Sequence, residues 1–157
     1  MLVRFMELED RIVIATLFQE MQAYYGGNCP PTVEVLRDLQ DLPAGCEILV
    51  AADPGVIGLA AVSTIYPGPG LNAGLFIKEL FVSADFRRHG VGRALMRATA
   101  EFAMQKGMSR LDWTADRNDE RLLAFYRATG AVEQREKVFF RLSGEKLEEF
   151  AQASMGQ

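Results

Sequence analysis

The chain has 157 residues, about half of them hydrophobic, which is room for one domain with a sizeable core. Its 17 Lys plus Arg face 21 Asp plus Glu, a net charge of -4 with no basic run outside residues 87–93, so nucleic acid is not an expected partner. No apolar stretch reaches membrane length, charges from Arg4 to Arg11 interrupt the N-terminus, and Cys29 and Cys46 form neither a CxxC pair nor a cluster with His. The expectation is a cytoplasmic protein with reduced cysteines, no membrane anchor and no metal.

In chain order, Leu2 to Met6 reads as a strand, and Leu8 to Tyr25 as a helix carrying Ile12, Ile14, Leu17, Met21 and Tyr24. Gly26 to Pro31 ends that helix, and Thr32 is placed to cap a second one through Leu39. Cys46–Ala52 and Val56–Thr64 are apolar runs joined by Asp53-Pro54-Gly55, a hairpin signal. After the stiff Tyr66 to Gly70 loop comes a central strand, Leu75 to Val82, on which simple alternation puts Glu79 on one face with Ile77 and Phe81. A helix follows from Val91 to Lys106, with Val91, Leu95, Ala98 and Phe102 on one stripe and Gly107 as its stop. Leu111, Trp113 and Ala115 alternate along a strand reached by crossover. The next helix, Glu120 to Thr129, ends at Gly130; Val138, Phe140 and Leu142 mark a last strand, and Ser143 is placed to cap a terminal helix with Leu147, Phe150 and Ala151. The result is an α+β fold in a single domain, 1–157: a mixed, mostly antiparallel central sheet with helices on both faces, in the order β-α-α-β-β-β-α-β-α-β.

The chemistry concentrates at 75–104, where the central strand runs into Arg87-Arg88-His89-Gly90-Val91-Gly92 and a helix starts at once. A glycine-bearing loop at a helix start leaves backbone N–H groups facing outward at the positive end of the dipole, which suits a phosphate. Arg87, Arg88 and Arg93 add cations to its rim. A P-loop would need a Gly-Lys-Ser/Thr ending and a dinucleotide fold a third glycine after a first strand; neither is present.

Arg87-x-x-Gly90-x-Gly92 after Leu80-Phe81-Val82 resembles the signature of the GNAT superfamily of acyl-CoA-dependent N-acyltransferases. Asp119-Glu120-Arg121-Leu122-Leu123-Ala124-Phe125-Tyr126 through Gly130-Ala131 resembles that family's second motif, with Asp119 where Asn is usual and Asn118 one residue early. The resemblance spans about Val56 to Leu142. It implies a GNAT-type fold that uses acetyl-CoA, with Leu80, Phe81 and Val82 beside the pantetheine arm and Arg87, Arg88, His89, Gly90, Val91, Gly92 and Arg93 around the diphosphate. Tyr126, together with Asn118 or Asp119, belongs to the cofactor side as well.

The implied reaction is acetyl transfer to a primary amine of a small molecule through a tetrahedral intermediate. In that scheme the Val82 N–H stabilises the oxyanion and Tyr126 protonates the thiolate; a phenol titrates at about 10, close to an alkyl thiol. From the residues alone Tyr126 also reads as a stripe residue four after Leu122. Glu79, a carboxylate among apolar neighbours, is the candidate for handling the amine, as base or as ammonium partner, with Tyr24 and Tyr25 as further acceptor-side residues. The segment is similar to diamine and polyamine acetyltransferases, which carry two acids where this chain has Lys78-Glu79; a homodimer is expected on the same basis. A protein N-terminus or lysine as acceptor, and a non-catalytic acyl-CoA-binding module, are the alternatives.

Overall fold

Five strands, β1 (Leu2–Phe5), β2 (Cys46–Ala52), β3 (Val56–Ile65), β4 (Gly74–Val82) and β5 (Leu111–Trp113), form one sheet whose spatial order is their chain order. The structure is a computed structural model that describes residues 1–153. It divides into two compact units, Met1–Thr114 and the part from Ala115 onward. The first holds the whole sheet, α1 (Arg11–Tyr24), α2 (Thr32–Gln40) and α3 (Val91–Gln105); the second holds α4 (Glu120–Arg127) and α5 (Glu145–Gln152).

The first four strands pair antiparallel and β5 joins β4 in parallel, with α3 as the crossover that a parallel neighbour requires. The hairpin between β2 and β3 closes as its turn residues predict, with Asp53 N–H donating to Gly55 O at 2.7 Å. Ile48, Val50, Leu59 and Phe81 pack against Ile14, Ala15, Leu17 and Met21 of α1 and Val35 and Leu39 of α2. On α3, Val91, Leu95, Met96, Thr99, Phe102 and Ala103 are buried, and the Phe102 ring meets Phe5 of β1 edge-on at 4.8 Å. Helices thus cover both faces, which is why β2 and β3 read as nearly unbroken apolar runs and not as alternating ones. Leu59 and Leu95 are wholly buried, each contributing roughly 1.5–3 kcal/mol by leaving water.

Asp10, at the start of α1, is a buried carboxylate held by its neighbours. Arg4 donates to its two oxygens at 2.6 and 3.0 Å and the Glu7 N–H donates at 2.8 Å, so its pKa lies below the ordinary Asp value, mainly through the Arg4 hydrogen bond.

Local details depart from the sequence reading at the element ends. Leu8–Asp10 is a 3-10 turn leading into α1. Thr32 is the first residue of α2, not its cap, and its Oγ1 accepts from Gln19 Nε2 at 2.8 Å, tying α2 to α1. Gly144, not Ser143, occupies the cap position of α5. The expected strand at Val138, Phe140 and Leu142 is absent among the described residues, and Val138, Phe139 and Phe140 are exposed. Alternation supplies a strand's two faces but not the neighbouring chain whose hydrogen bonds make it a strand, and among the described residues the second unit contains no other strand.

Candidate functional site

β4 is paired on both edges for only part of its length. Leu75, Phe76 and Ile77 lie opposite Leu111, Asp112 and Trp113 of β5, which ends there, while β4 continues along β3 to Val82. The edge of β4 from Lys78 to Val82 therefore opens away from the sheet within the first unit.

The register changes at the same point. Ala61 pairs with Glu79 and Val62 with Ile77, so Lys78 is an extra residue with no partner on β3. Because Ala61 and Val62 face opposite ways, so do Glu79 and Ile77. This corrects the alternation reading: Glu79 shares the α1–α2 face with Phe81, whereas Ile77 is turned to the other face. The backbone reports the same change of phase. Leu75 N–H donates toward β5, to Arg110 O at 2.9 Å, while Ser83, an even number of residues on, donates toward β3, to Ile57 O at 3.0 Å. With Ser83 N–H directed at β3, the N–H and C=O of Val82 point the opposite way, onto the open edge. Arg87 Nε donates to that carbonyl at 2.9 Å.

The close approach of β3 to this end of β4 depends on Gly58. A Cβ there would stand 2.9 Å from Phe81 O and 3.3 Å from Val82 Cα, so any side chain would push the backbone of the open segment. Glu20 of α1 also braces it, accepting from Ala84 N–H at 2.8 Å.

Beyond β4 the chain turns through Arg87 to Gly90 into α3. Gly90 precedes the helix with φ +80, and Arg88 is left-handed at φ +66, a conformation costing a non-glycine residue roughly 1–3 kcal/mol. The first intrahelical bond runs from Ala94 N–H to Gly90 O at 3.0 Å, which leaves the amides of Val91, Gly92 and Arg93 without helical acceptors at the positive end of a helix of 15 residues. Arg88, His89 and Arg93 are exposed around it. This arrangement fits a diphosphate. Arg87 is placed differently from the other two arginines: its guanidinium stacks over Tyr24 at 4.7 Å and Phe81 at 5.3 Å while Nε holds Val82 O.

Tyr24 and Tyr25, at the end of α1, meet edge to face at 5.3 Å, and both are more than half exposed. Burial of part of its ring and the negative charge of Glu79 raise the Tyr25 phenol above its ordinary pKa, which places Tyr25 within electrostatic reach of Glu79. Glu79 itself pairs with Lys78 Nζ at 3.1 Å. The first unit therefore gathers Tyr24, Tyr25, Glu79, Phe81, Val82 and Arg87 around the open end of β4.

Residues 14–131 match the acetyltransferase (GNAT) family. The chain belongs to that family. The relatives it resembles include an L-ornithine N5-acetyltransferase of Arabidopsis thaliana, 29% identical over 96 residues, covering 61% of this chain and 42% of that protein. A thialysine N-epsilon-acetyltransferase of Caenorhabditis elegans is 32% identical over 80 residues, 49% of this chain and 50% of the relative. The chain spans about half the length of the curated relatives it matches. Among solved structures, an integron cassette protein from the mobile metagenome of V. cholerae superposes with a TM-score of 0.87 at 27% identity, over 97% of this chain and 98% of the other. An aminoglycoside acetyltransferase from an uncultured soil sample shares the fold, with a TM-score of 0.73 at 21% identity over 90% and 96% of the two chains.

In this GNAT chain the second motif lies in the second unit. Asp119 caps α4, its Oδ1 accepting from Leu122 N–H at 3.0 Å, so that carboxylate is engaged in starting the helix, while the Asn118 side chain is exposed. Tyr126 is half-buried beside the Phe125 ring, centroids 5.1 Å apart, and its carbonyl accepts from Thr129 Oγ1 at 2.7 Å. Arg127 bridges Glu120 and Glu133 on the exposed side of the helix. Sequence reasoning missed Gly58, Glu20 and the extra residue Lys78. A lone glycine inside a strand pattern was a usable signal for the first; nothing local marks the other two.

Proposed function

We propose that this GNAT chain is an N-acetyltransferase that moves the acetyl group of acetyl-CoA to a primary amine of a small molecule. The observation that carries this reading is the open end of β4, where the Val82 amide is directed off the sheet, followed by a helix start with three N–H groups that have no acceptor within the helix. Bound acetyl-CoA supplies an electrophilic acyl carbon and a thiol leaving group. A nitrogen–carbon bond forms and a carbon–sulfur bond breaks.

The residues divide the work. The amides of Val91, Gly92 and Arg93 hold the diphosphate, with Arg88, His89 and Arg93 around it. Arg87 fixes the Val82 carbonyl, and through it the plane of the neighbouring peptide. Leu80, Phe81 and Val82 offer the open strand edge to the pantetheine arm. The Val82 N–H donates a hydrogen bond to the acyl oxygen as negative charge develops there; a main-chain donor already held in place needs no ordering at the moment of reaction. Glu79 receives the ammonium and takes its proton, directly or through water, with Tyr24 and Tyr25 flanking it. Tyr126 returns a proton to the sulfur; what supports that role is the family motif and the near match between phenol and thiol acidity.

Thiol release from acetyl-CoA, measured across small amines, amino acids, polyamines and peptides, tests the activity and the acceptor class together. Tyr126→Phe is expected to lower turnover at least tenfold with acetyl-CoA affinity nearly unchanged. Unchanged turnover removes the acid role, and release confined to peptides moves the acceptor to a protein.

A further inference from the structure

Two side chains one turn apart on α1 reach across to the open end of β4. Positions 20 and 24 differ by four and so share a face of the helix. Glu20 Oε1 accepts from the Ala84 N–H at 2.8 Å, and the Tyr24 ring lies against the Arg87 guanidinium at 4.7 Å. The helix that carries them is fixed by packing, with Leu17 and Met21 buried in the core. Ala84 opens the 3-10 turn Ala84–Phe86, and the first amides of such a turn have no acceptor of their own. Ser83 stands where a side chain could cap the turn but makes no such bond. The acceptor comes instead from the half-buried Glu20, 64 residues away along the chain.

The bond matters because of where it falls. Val82 O accepts from Arg87 Nε at 2.9 Å, Ser83 N–H donates to Ile57 O at 3.0 Å, and Ala84 N–H donates to Glu20, so successive backbone groups after the Val82 amide are each held by a different segment. The peptide that carries the Val82 N–H is the next plane back. Each peptide plane is rigid and only two dihedrals separate it from its neighbour, so a chain held at Ser83 and Ala84 leaves the Val82 N–H few directions to take. Loss of the Glu20 contact frees one end of this short run. A displacement of about 1 Å at a reacting group can cost on the order of 100-fold in rate.

On the basis of the acetyltransferase reading above, we propose that Glu20 is a positioning residue for acyl transfer: through Ala84 it sets the direction of the Val82 N–H, while Tyr24 and Arg87 hold the same segment from the next turn of α1. The role needs an acceptor oxygen at position 20 and no charge. It does not extend to the diphosphate amides of Val91, Gly92 and Arg93, which lie beyond the turn from Arg87 to Gly90.

Glu20→Ala and Glu20→Gln are compared with the wild-type chain by thiol release from acetyl-CoA with the most active amine of the panel above, by coenzyme A affinity from calorimetry, and by amide hydrogen exchange followed by NMR. Glu20→Ala is expected to lower kcat at least tenfold, with KM for the amine and Kd for coenzyme A within twofold of wild type. Glu20→Gln, whose Oε1 can accept the same bond, is expected to keep kcat within threefold. In Glu20→Ala, exchange should quicken at least tenfold at Ala84 and also at Ser83, which keeps its own acceptor on β3, and stay unchanged along β2. Full turnover in Glu20→Ala overturns the proposal, and so does a glutamine variant as slow as the alanine one, which would assign the effect to charge. Faster exchange at Ala84 alone also overturns it, because the contact would then hold one amide and not the segment. A wild-type chain that releases no thiol with any amine overturns the acetyltransferase reading; the hold of Glu20 on Ser83 is then upheld or overturned by the exchange rates alone.

Discussion

The two halves of β4 make opposite use of one strand. From Leu75 to Ile77 it lies between β3 and β5 with both edges paired, and Leu75 and Ile77 are buried under 5% exposure. From Lys78 to Val82 it keeps β3 but has lost β5, gains an extra residue, turns Glu79 and the buried Phe81 ring to the α1–α2 face and directs the Val82 amide onto the open edge. The difference shows what a single bulge does: it lets Ile77 serve one core and Glu79 face the other side two positions later, and it sets the phase in which Val82 presents its N–H. On the proposed function the open half carries the chemistry, and substitutions should separate it from the paired half.

Leu75→Ala, in the paired half, is expected to have the largest effect, a loss of about 3 kcal/mol of stability from the cavity it leaves, read by denaturant unfolding. Turnover per folded molecule should be unchanged; a fall in turnover would mean that the two halves are not separable. Gly58→Ala acts on the open half. The added methyl meets Phe81 O and must shift the backbone, so turnover should fall at least tenfold, with a loss of stability smaller than that of Leu75→Ala in the urea midpoint. A variant with full turnover would show that the placement of Val82 is not needed. The smallest effect belongs to neither half. Asp10→Asn removes a charge-assisted pair at the start of α1 and should cost about 1–2 kcal/mol at neutral pH. Since the folded-state pKa of Asp10 lies below its ordinary value, its contribution is complete above the ordinary Asp range and disappears as pH falls through that range toward the folded-state value. The stability difference between wild type and Asp10→Asn should therefore close on acidification, and a difference that persists at low pH would assign the effect to packing.

Much of this was legible from residues. The apolar runs of β2 and β3 with Asp53-Pro54-Gly55 between them state a hairpin, and Arg87-x-x-Gly90-x-Gly92 at the junction of a strand and a helical stripe states a glycine loop at a helix start, because turns and helix starts depend on neighbours in the chain. The last strand was misread for the complementary reason: Val138, Phe140 and Leu142 have the alternation, but a strand exists only where another strand accepts its hydrogen bonds. Glu79 was assigned correctly with Phe81 and incorrectly with Ile77, because alternation holds until a residue is inserted, and whether Lys78 is inserted depends on how β3 lies beside it.

The amino-acid order alone determined the helices, the five strands of the sheet, the glycine loop at the start of α3 and the family to which the chain belongs, since each rests on residues near one another along the chain. Tertiary structure decided which way Glu79 and Val82 face, that Arg87 holds a carbonyl and two rings, and that Glu20 of α1 reaches the Ala84 amide. Those facts depend on strand register and on the approach of distant segments, which are settled by the packing of the whole unit and by no local pattern.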